Sequence, residues 1–106
     1  MFVAINYISC TVNYRVRFET LFATREGAID KMAGFRNMRV LRPKDRSQSC
    51  LIVSEWDCEE SFKAWTKSEA FIKGHRRGFA DLEEAKKRGE EAPMTSKSCT
   101  YEVIAT

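Results

Sequence analysis

The first strand predicted along the chain constrains the fold most, because both of its faces are mostly apolar. Side chains alternate over residues 2–9, and the only amide among them is Asn6. A strand of this kind must be covered on both sides. A domain of 106 residues buries only about two-thirds of the surface of its unfolded chain. A partner subunit would therefore help a domain of this size to bury more of its surface.

The other hydrophobic patterns alternate between helix and strand. Apolar residues recur every three or four positions over residues 14–33, and Gly34 is suited to end that helix. The order β-α-β-β-α-β predicts an α+β, ferredoxin-like fold in one domain over residues 1–106. The remaining predicted elements are strands at 35–42, 50–56 and 98–105, helices at 58–66 and 69–77, and an exposed loop at 78–97 that is partly helical between 81 and 88.

Composition and charge exclude several classes of protein. No window approaches the ~20 apolar residues of a membrane span, and the N-terminus lacks the features of a signal peptide. Four widely spaced cysteines without a C-x-x-C pair indicate reduced thiols in a cytoplasmic protein rather than a zinc site. The net charge of +3 is too small to predict binding to nucleic acid. We expect a soluble, cytoplasmic protein with no membrane segment.

Fold alone does not decide function, because ferredoxin-like domains carry unrelated activities. RNA-recognition modules share the topology, but they place stacking aromatic residues within a basic, glycine-containing run on the third strand. Residues 50–56 of this chain offer mainly aliphatic side chains at that place. The sequence therefore argues against RNA recognition and favours an active site between the sheet and the helices.

The only histidine, His75, lies among aromatic residues and beside two arginines. Imidazole is the commonest metal ligand in proteins, although a lone histidine is more often an ordinary residue. Trp65 precedes His75 by ten residues, which on one straight helix would leave the two side chains about 80° apart in direction. A break near Ser68 is needed for both to line one cavity. Phe71, His75 and Phe79 are spaced by four residues and would share a helix face.

Asn6 is the second candidate, since a neutral amide on an apolar strand face must find a hydrogen-bond partner. It can bond to neighbouring backbone, or it can serve a ligand. The sequence leaves both interpretations open.

These residues together carry a family resemblance. The chain combines Asn6 on the first strand, Arg25 on the first helix, a Gly34-Phe35 junction and the spacing of Trp65 and His75. In these features it resembles the IsdG-type heme-degrading monooxygenases, a group of antibiotic-biosynthesis-monooxygenase-like proteins that form dimeric α+β barrels. The resemblance extends over nearly the whole chain.

The resemblance implies a mechanism in which heme is both substrate and cofactor. By it, His75 is the axial ligand of the heme iron, and Asn6 donates a hydrogen bond on the open side where dioxygen binds. Trp65 presses on the porphyrin, which is opened at a meso carbon as iron is released. An external electron donor and a homodimer with two hemes are also implied. The remaining implied pocket residues are Phe22, Arg25 and Phe71.

Two alternatives remain open from the sequence. One is a heme-binding or heme-delivery protein that does not turn the ring over. The other is a cofactor-free monooxygenase of an aromatic metabolite, for which His75 would be dispensable. The regiochemistry of ring opening and the identity of the electron donor do not follow from the residues.

Overall fold

The computed structural model describes residues 1–106 and confirms the ferredoxin-like α+β fold. Four strands form one antiparallel sheet in the order β2-β3-β1-β4, and three helices lie on one side of it. No helix has both the length and the apolar character needed to span a membrane. The elements are β1 (Phe2–Cys10), α1 (Arg15–Ala23), β2 (Phe35–Leu41), β3 (Cys50–Trp56), α2 (Glu59–Thr66), α3 (Glu69–Lys87) and β4 (Met94–Glu102), with short 3-10 turns at Val12–Tyr14 and Ala28–Lys31.

Strand β1 lies in the interior of the sheet and pairs with β3 on one side and β4 on the other. Asn6 lies opposite Ile52 of β3 and Ser98 of β4. Because side chains alternate along a strand, these three residues share the face that the helices cover. The predicted strand at 50–56 agrees with β3, whereas β4 begins four residues earlier than the predicted strand at 98–105.

The opposite face of the sheet has no covering layer within one chain. Val3, Ile5 and Tyr7 of β1 are only half-buried, as are Leu51 and Val53 of β3. The prediction that both faces of β1 are covered is therefore met on the helix side only. The physical reason is that all three helices pack on one side, which leaves this outer face of the sheet without a partner.

Helix α1 ends at Ala23, so the prediction of a helix over residues 14–33 is wrong in its second half. Gly27 has φ 74°, a left-handed conformation that cannot continue a right-handed helix. The chain then forms the 3-10 turn Ala28–Lys31, which buries Ile29. The apolar pattern in the sequence extends past the end of α1 because Ile29, which lies in the separate 3-10 turn, also packs in the core.

Helix α3 continues to Lys87, so the prediction of a loop beginning at residue 78 is wrong, whereas the helical part predicted at 81–88 is confirmed to within one residue. Gly78 lies inside the helix, where glycine is less favourable than alanine by up to ~1 kcal/mol. Packing outweighs this penalty, because Ala85 further along is only 3% exposed. Gly89, at φ 69°, follows the helix end and terminates it.

Candidate functional site

The core beneath the helices is divided into two clusters, and Asn6 lies between them. Ala4 belongs to the first cluster, together with Trp56, and Ile8 belongs to the second, together with Phe18. Asn6 stands midway between Ala4 and Ile8 on the same face of β1. The centre of the sheet therefore presents a polar residue where the apolar core is interrupted.

The side-chain amide of Asn6 has no hydrogen-bond partner in the protein, although its neighbours in the sheet form side-chain bonds of their own. No side-chain polar atom of the chain is both sealed from solvent and unpaired, so the half-buried Asn6 amide retains contact with solvent. The interpretation in which Asn6 bonds to neighbouring backbone is thus wrong. The amide is available to a ligand, as the second interpretation requires.

Four rings form a continuous aromatic column, defined as Trp65, Phe71, His75 and Phe79. The Trp65 and Phe71 centroids lie 5.5 Å apart in an edge-to-face arrangement with an interplanar angle of 79°. The Phe71 and His75 centroids are 4.0 Å apart, and those of His75 and Phe79 are 5.7 Å apart with the rings stacked at 27°. The predicted common face of Phe71, His75 and Phe79 is confirmed.

The predicted break between Trp65 and His75 lies at Ser68, where α2 has ended and α3 begins. The Ser68 hydroxyl accepts a hydrogen bond from the backbone N–H of Phe71 at 3.1 Å and donates one to the carbonyl of Trp65 at 2.7 Å. One serine therefore caps the start of α3 and closes the end of α2. This geometry brings Trp65 into contact with Phe71, which one straight helix would not allow.

Helix α3 bridges the two core clusters. Phe71 packs against the first cluster. A side chain at Gly78 would lie 3.4 Å from Cε of Met94, which packs against the second cluster. His75 lies between these two anchoring positions, and Asn6 lies between the same two clusters on the sheet. His75 on α3 and Asn6 on β1 are far apart in sequence, yet both lie between the two core clusters.

The imidazole of His75 is oriented by the backbone of its own helix. Its Nδ1 lies 2.7 Å from the carbonyl oxygen of Phe71. A carbonyl only accepts, so Nδ1 carries a proton and donates it; in the neutral imidazole this leaves Nε2 with a free lone pair. A hydrogen bond from one ring nitrogen to a backbone carbonyl is the common arrangement for a histidine that binds a metal through the other nitrogen.

No group of three or more His, Cys, Asp and Glu side chains could hold a bare metal ion. His75 can consequently serve a metal only as a single ligand, with the other donors supplied by a molecule that brings its own. A macrocycle that ligates its metal through four ring nitrogens fits this condition.

The surface around His75 is suited to a flat, apolar ligand. Ile72 and Phe79, which lie about one turn before and after His75 on α3, are 55% and 50% exposed. No atom lies within 4 Å of the place that a side chain at Gly74 would occupy. Exposed apolar side chains therefore flank His75 along α3.

Trp65 belongs both to the aromatic column and to the first core cluster. It is 8% exposed and is the buried residue of α2. An indole held in this way is rigid, and displacing it would disturb the core. Trp65 can therefore exert a steric force on a ligand that reaches the column.

Phe22 and Arg25 make their contacts elsewhere. Phe22 packs on Phe18 with ring centroids 5.0 Å apart and lines a groove of about 340 Å³ between α1 and β2. Arg25 pairs with Asp30 at 3.5 Å, next to the turn at Gly27. Neither forms a ring contact or hydrogen bond with the aromatic column, so their predicted place in the pocket stays a prediction.

Sequence reasoning missed a polar junction between α1 and α3. The Arg77 guanidinium donates to Thr24 Oγ1 at 2.8 Å and to the carbonyls of Leu21 at 3.0 Å and Thr24 at 3.3 Å. Asp81 accepts hydrogen bonds from the Tyr14 hydroxyl at 2.6 Å and from Nε of Arg17 at 2.9 Å. The partners are more than 50 residues apart in sequence, and no local pattern indicates such pairs.

These bonds perturb the acid–base properties of the junction. Burial, followed by the hydrogen bond to Asp81, raises the pKa of Tyr14 far above its usual value. Burial alone would raise the pKa of Asp81, but the hydrogen bonds from Arg17 and Tyr14 together hold it below its usual range. The Asp81 carboxylate is thus the charged centre of this contact.

A second cleft lies on the outer face of the sheet and contains none of the candidate residues. It has a volume of about 500 Å³ and is lined largely by hydroxyl groups. The hydroxyls of Tyr7 and Tyr101 lie 3.3 Å apart, and this hydrogen bond raises the pKa of Tyr101 to about 12. The cleft belongs to the face that the helices leave uncovered.

The sequence model of the family described as antibiotic biosynthesis monooxygenase matches residues 1–77. The chain belongs to this family. The family membership predicted from the sequence is confirmed, and the matched segment contains Asn6, Trp65 and His75. The C-terminal part of α3 and strand β4 lie beyond the matched segment.

Curated relatives within the antibiotic biosynthesis monooxygenase family include heme oxygenases. The mycobilin-producing heme oxygenase of Mycobacterium tuberculosis is 32% identical over 76 residues, which cover 70% of this chain and 72% of that protein. The staphylobilin-producing heme oxygenase of Staphylococcus epidermidis is 32% identical over 78 residues, or 72% of this chain and 74% of that protein. A solved structure of the heme degrader MhuD from M. tuberculosis, with two hemes bound in its active site, has a TM-score of 0.74 at 25% identity and covers 100% of this chain and 98% of that one.

Proposed function

We propose that this chain is an oxygen-dependent heme-degrading monooxygenase for which heme is both substrate and cofactor. The reaction opens the porphyrin at a meso carbon and releases iron. The observation that carries the proposal is the hydrogen bond from Nδ1 of His75 to the Phe71 carbonyl, which in the neutral imidazole leaves Nε2 able to bind a metal. The similarity to heme oxygenases and to heme-bound MhuD supports the same chemistry.

The residues present fit a heme. The chain offers one imidazole nitrogen without a cluster of further ligands, as an axial ligand requires. The unpartnered amide of Asn6 and the exposed apolar side chains of Ile72 and Phe79 are explained by a flat ligand that has one polar centre. A core histidine with no ligand would explain none of these features.

His75 would hold the heme iron through Nε2. The bond from Nδ1 to the backbone carbonyl fixes the ring orientation and increases the basicity of the coordinating nitrogen. When bound, heme supplies both the iron that activates dioxygen and the ring that is oxidised. An external electron donor must supply the electrons, because none of the candidate residues is a redox centre.

Asn6 and Trp65 direct the reaction on the bound ring. The neutral amide of Asn6 donates a hydrogen bond at the dioxygen side without offering a proton that is easily released. Trp65, fixed in the core, would pack against the bound macrocycle and exert a steric force on it. We propose that Phe22, Arg25 and Phe71 line or support the same pocket.

A second copy of the chain is the proposed partner for the outer face of the sheet. This face exposes Val3, Ile5, Tyr7 and Val53, and an uncovered apolar sheet requires a second layer. Two sheets packed face to face would close a barrel, with one heme site on the helix side of each subunit. We also propose a cytoplasmic location, which the four free cysteines support.

A hemin titration tests the proposal. The wild-type protein should shift the Soret band, and His75→Ala should lose the shift that reports imidazole ligation. Lys73→Ala is the matched control, because Lys73 is an exposed residue of the same helix without an ion pair. Absence of hemin binding by the wild type, or an unchanged spectrum in His75→Ala, would refute the assignment.

Turnover is tested by adding ascorbate to the hemin complex in air. The proposed activity requires the Soret band to bleach and iron to become available to a chelator. Binding without bleaching identifies a heme-binding or heme-delivery protein instead. Oxygen uptake on a polycyclic phenol without hemin, undiminished in His75→Ala, identifies a cofactor-free monooxygenase.

A further inference from the structure

Helix α3 is held by a polar junction to α1 on the side away from its histidine. Two residues along an α-helix turn the side-chain direction by ~200°, so Arg77 points about 160° away from His75. Asp81 follows Arg77 by one turn and lies on the same side. The polar contacts of Arg77 and Asp81 therefore lie on a different side of α3 from the imidazole.

Arg77 completes the C-terminal end of α1. The last carbonyls of an α-helix have no partners within the helix, and a cation is favoured there by the helix dipole. Helix α1 has no basic residue in its last turn. Arg77 supplies the charge, and its bonds to Leu21 and Thr24 satisfy carbonyls at this end.

Asp81 makes the matching contact near the start of α1. It accepts hydrogen bonds from Tyr14, in the turn before the helix, and from Arg17, in its first turn. Between the two contacts, a side chain at Gly78 would lie 4.0 Å from Cδ1 of Leu21, so the helices approach closely. Helix α3 is thus attached to both ends of α1 within little more than one of its own turns.

We propose that Arg77 and Asp81 are positioning residues for His75, a role that rests on the proposed function. Helix α3 carries the axial ligand, and α1 carries Phe22 over the second core cluster. The junction fixes the rotation of α3 about its axis and its position along that axis. It thereby fixes the direction in which Nε2 of His75 points. Arg77 is the more important of the two, because it lies two residues from the ligand and makes three hydrogen bonds.

Hydrogen exchange in the hemin-free protein tests the junction without any heme. Arg77→Ala should raise amide exchange over residues 69–80 well above that of Lys73→Ala, which removes an equal charge from the same helix. Thr24→Val removes one acceptor from α1 and should have a smaller effect in the same direction. Exchange in Arg77→Ala equal to that in Lys73→Ala overturns the inference.

Hemin binding tests the positioning role itself. Loss of a group that hydrogen-bonds a metal ligand directly lowers metal affinity by about 10- to 100-fold. Arg77 acts one step further away, through the position of α3, so we expect Arg77→Ala to lower hemin affinity by about 10-fold, with an altered ferric ligation spectrum recorded well below the unfolding temperature. Arg77→Lys keeps the charge and should restore part of the affinity. Combining Thr24→Val with Arg77→Ala should add little to Arg77→Ala alone, because both act through one contact.

The outcomes separate the two hypotheses. Ligation by His75 that is unchanged in Arg77→Ala overturns the positioning role and leaves the proposed function intact. A wild-type protein without ligation by His75 overturns the proposed function, and the positioning role with it. If Arg77→Ala does not fold, Arg77→Lys and Thr24→Val decide the question, and wild-type ligation spectra in both count against the positioning role.

Discussion

The imidazole of His75 and the residue one turn before it, Phe71, contact each other twice. Nδ1 of His75 lies 2.7 Å from the Phe71 carbonyl oxygen, and the two rings lie 4.0 Å apart. Because one contact involves the backbone and the other the ring, both the tautomer and the plane of the imidazole are fixed before a ligand arrives. Such preorganisation is what a functional side chain requires.

Replacing Asn6 should slow turnover and leave hemin affinity nearly unchanged. The amide forms no bond that the folded protein would lose, so we expect Asn6→Ala to be folded and to bind hemin. Loss of one preorganised donor typically lowers a rate by ~10²–10³-fold, and the bleaching rate with ascorbate measures it. Ser98→Ala, opposite Asn6 on β4, is the control and should keep the wild-type rate.

A smaller ring at Trp65 should reduce both stability and turnover. Trp65→Phe leaves space in a core site that is only 8% exposed and should lower the free energy of unfolding by about 1–3 kcal/mol. Phe62→Leu alters the same cluster outside the aromatic column and is the matched control. Rates measured well below both unfolding temperatures should fall for Trp65→Phe alone. Equal rates in the two variants would show that Trp65 is only a core residue.

Two glycines with left-handed backbone provide a test of steric packing. A side chain at Gly34, where φ is 81°, would lie 2.6 Å from Cβ of Ser61, whereas one at Gly89, where φ is 69°, would meet nothing within 4 Å. Gly89→Ala therefore carries only the conformational penalty of about 1 kcal/mol. Gly34→Ala should be clearly more destabilised in urea unfolding. Equal losses would mean that the turn at Gly34 shifts freely.

The junction at Asp81 should make the free energy of unfolding depend on pH in the acidic range. Its pKa is lowered in the folded protein, so between the folded and unfolded pKa values the unfolded chain binds more protons. The contribution of Asp81 to the free energy of unfolding is complete above its pKa in the unfolded chain, about 4, and is lost as the pH falls through its pKa in the folded protein. Asp81→Asn should flatten the stability profile below about pH 4 in thermal unfolding. Glu83→Gln, a neutralised carboxylate of the same helix without an ion pair, should not.

A charge on the outer face of the sheet should prevent dimer formation. Val53→Asp places a carboxylate where the second copy would pack, and burying an unpaired charge is strongly unfavourable. Sedimentation should give the mass of one chain for this variant and of two for the wild type. Thr100→Asp, on the helix side of β4, should sediment as the wild type does. A wild-type monomer would exclude the proposed partner.

Local patterns along the sequence determined much of this fold. The alternation over residues 2–9, the β-branched run of β3 and the need for a break near Ser68 all concern neighbours within a few residues. Spacing by four likewise indicated the shared face of Phe71, His75 and Phe79. These features follow from backbone geometry, which acts over one or two turns of helix or along a single strand.

Only the tertiary structure decided how those elements meet. The division of the core at Asn6, the commitment of Arg77 to α1 and the continuation of α3 through Gly78 depend on partners more than 50 residues away, or on packing that outweighs a local penalty. The free energies of such contacts have no signature in residue spacing. The sequence by itself therefore determined which side chains stand together on each element, and the three-dimensional packing decided which were left free to bind a ligand.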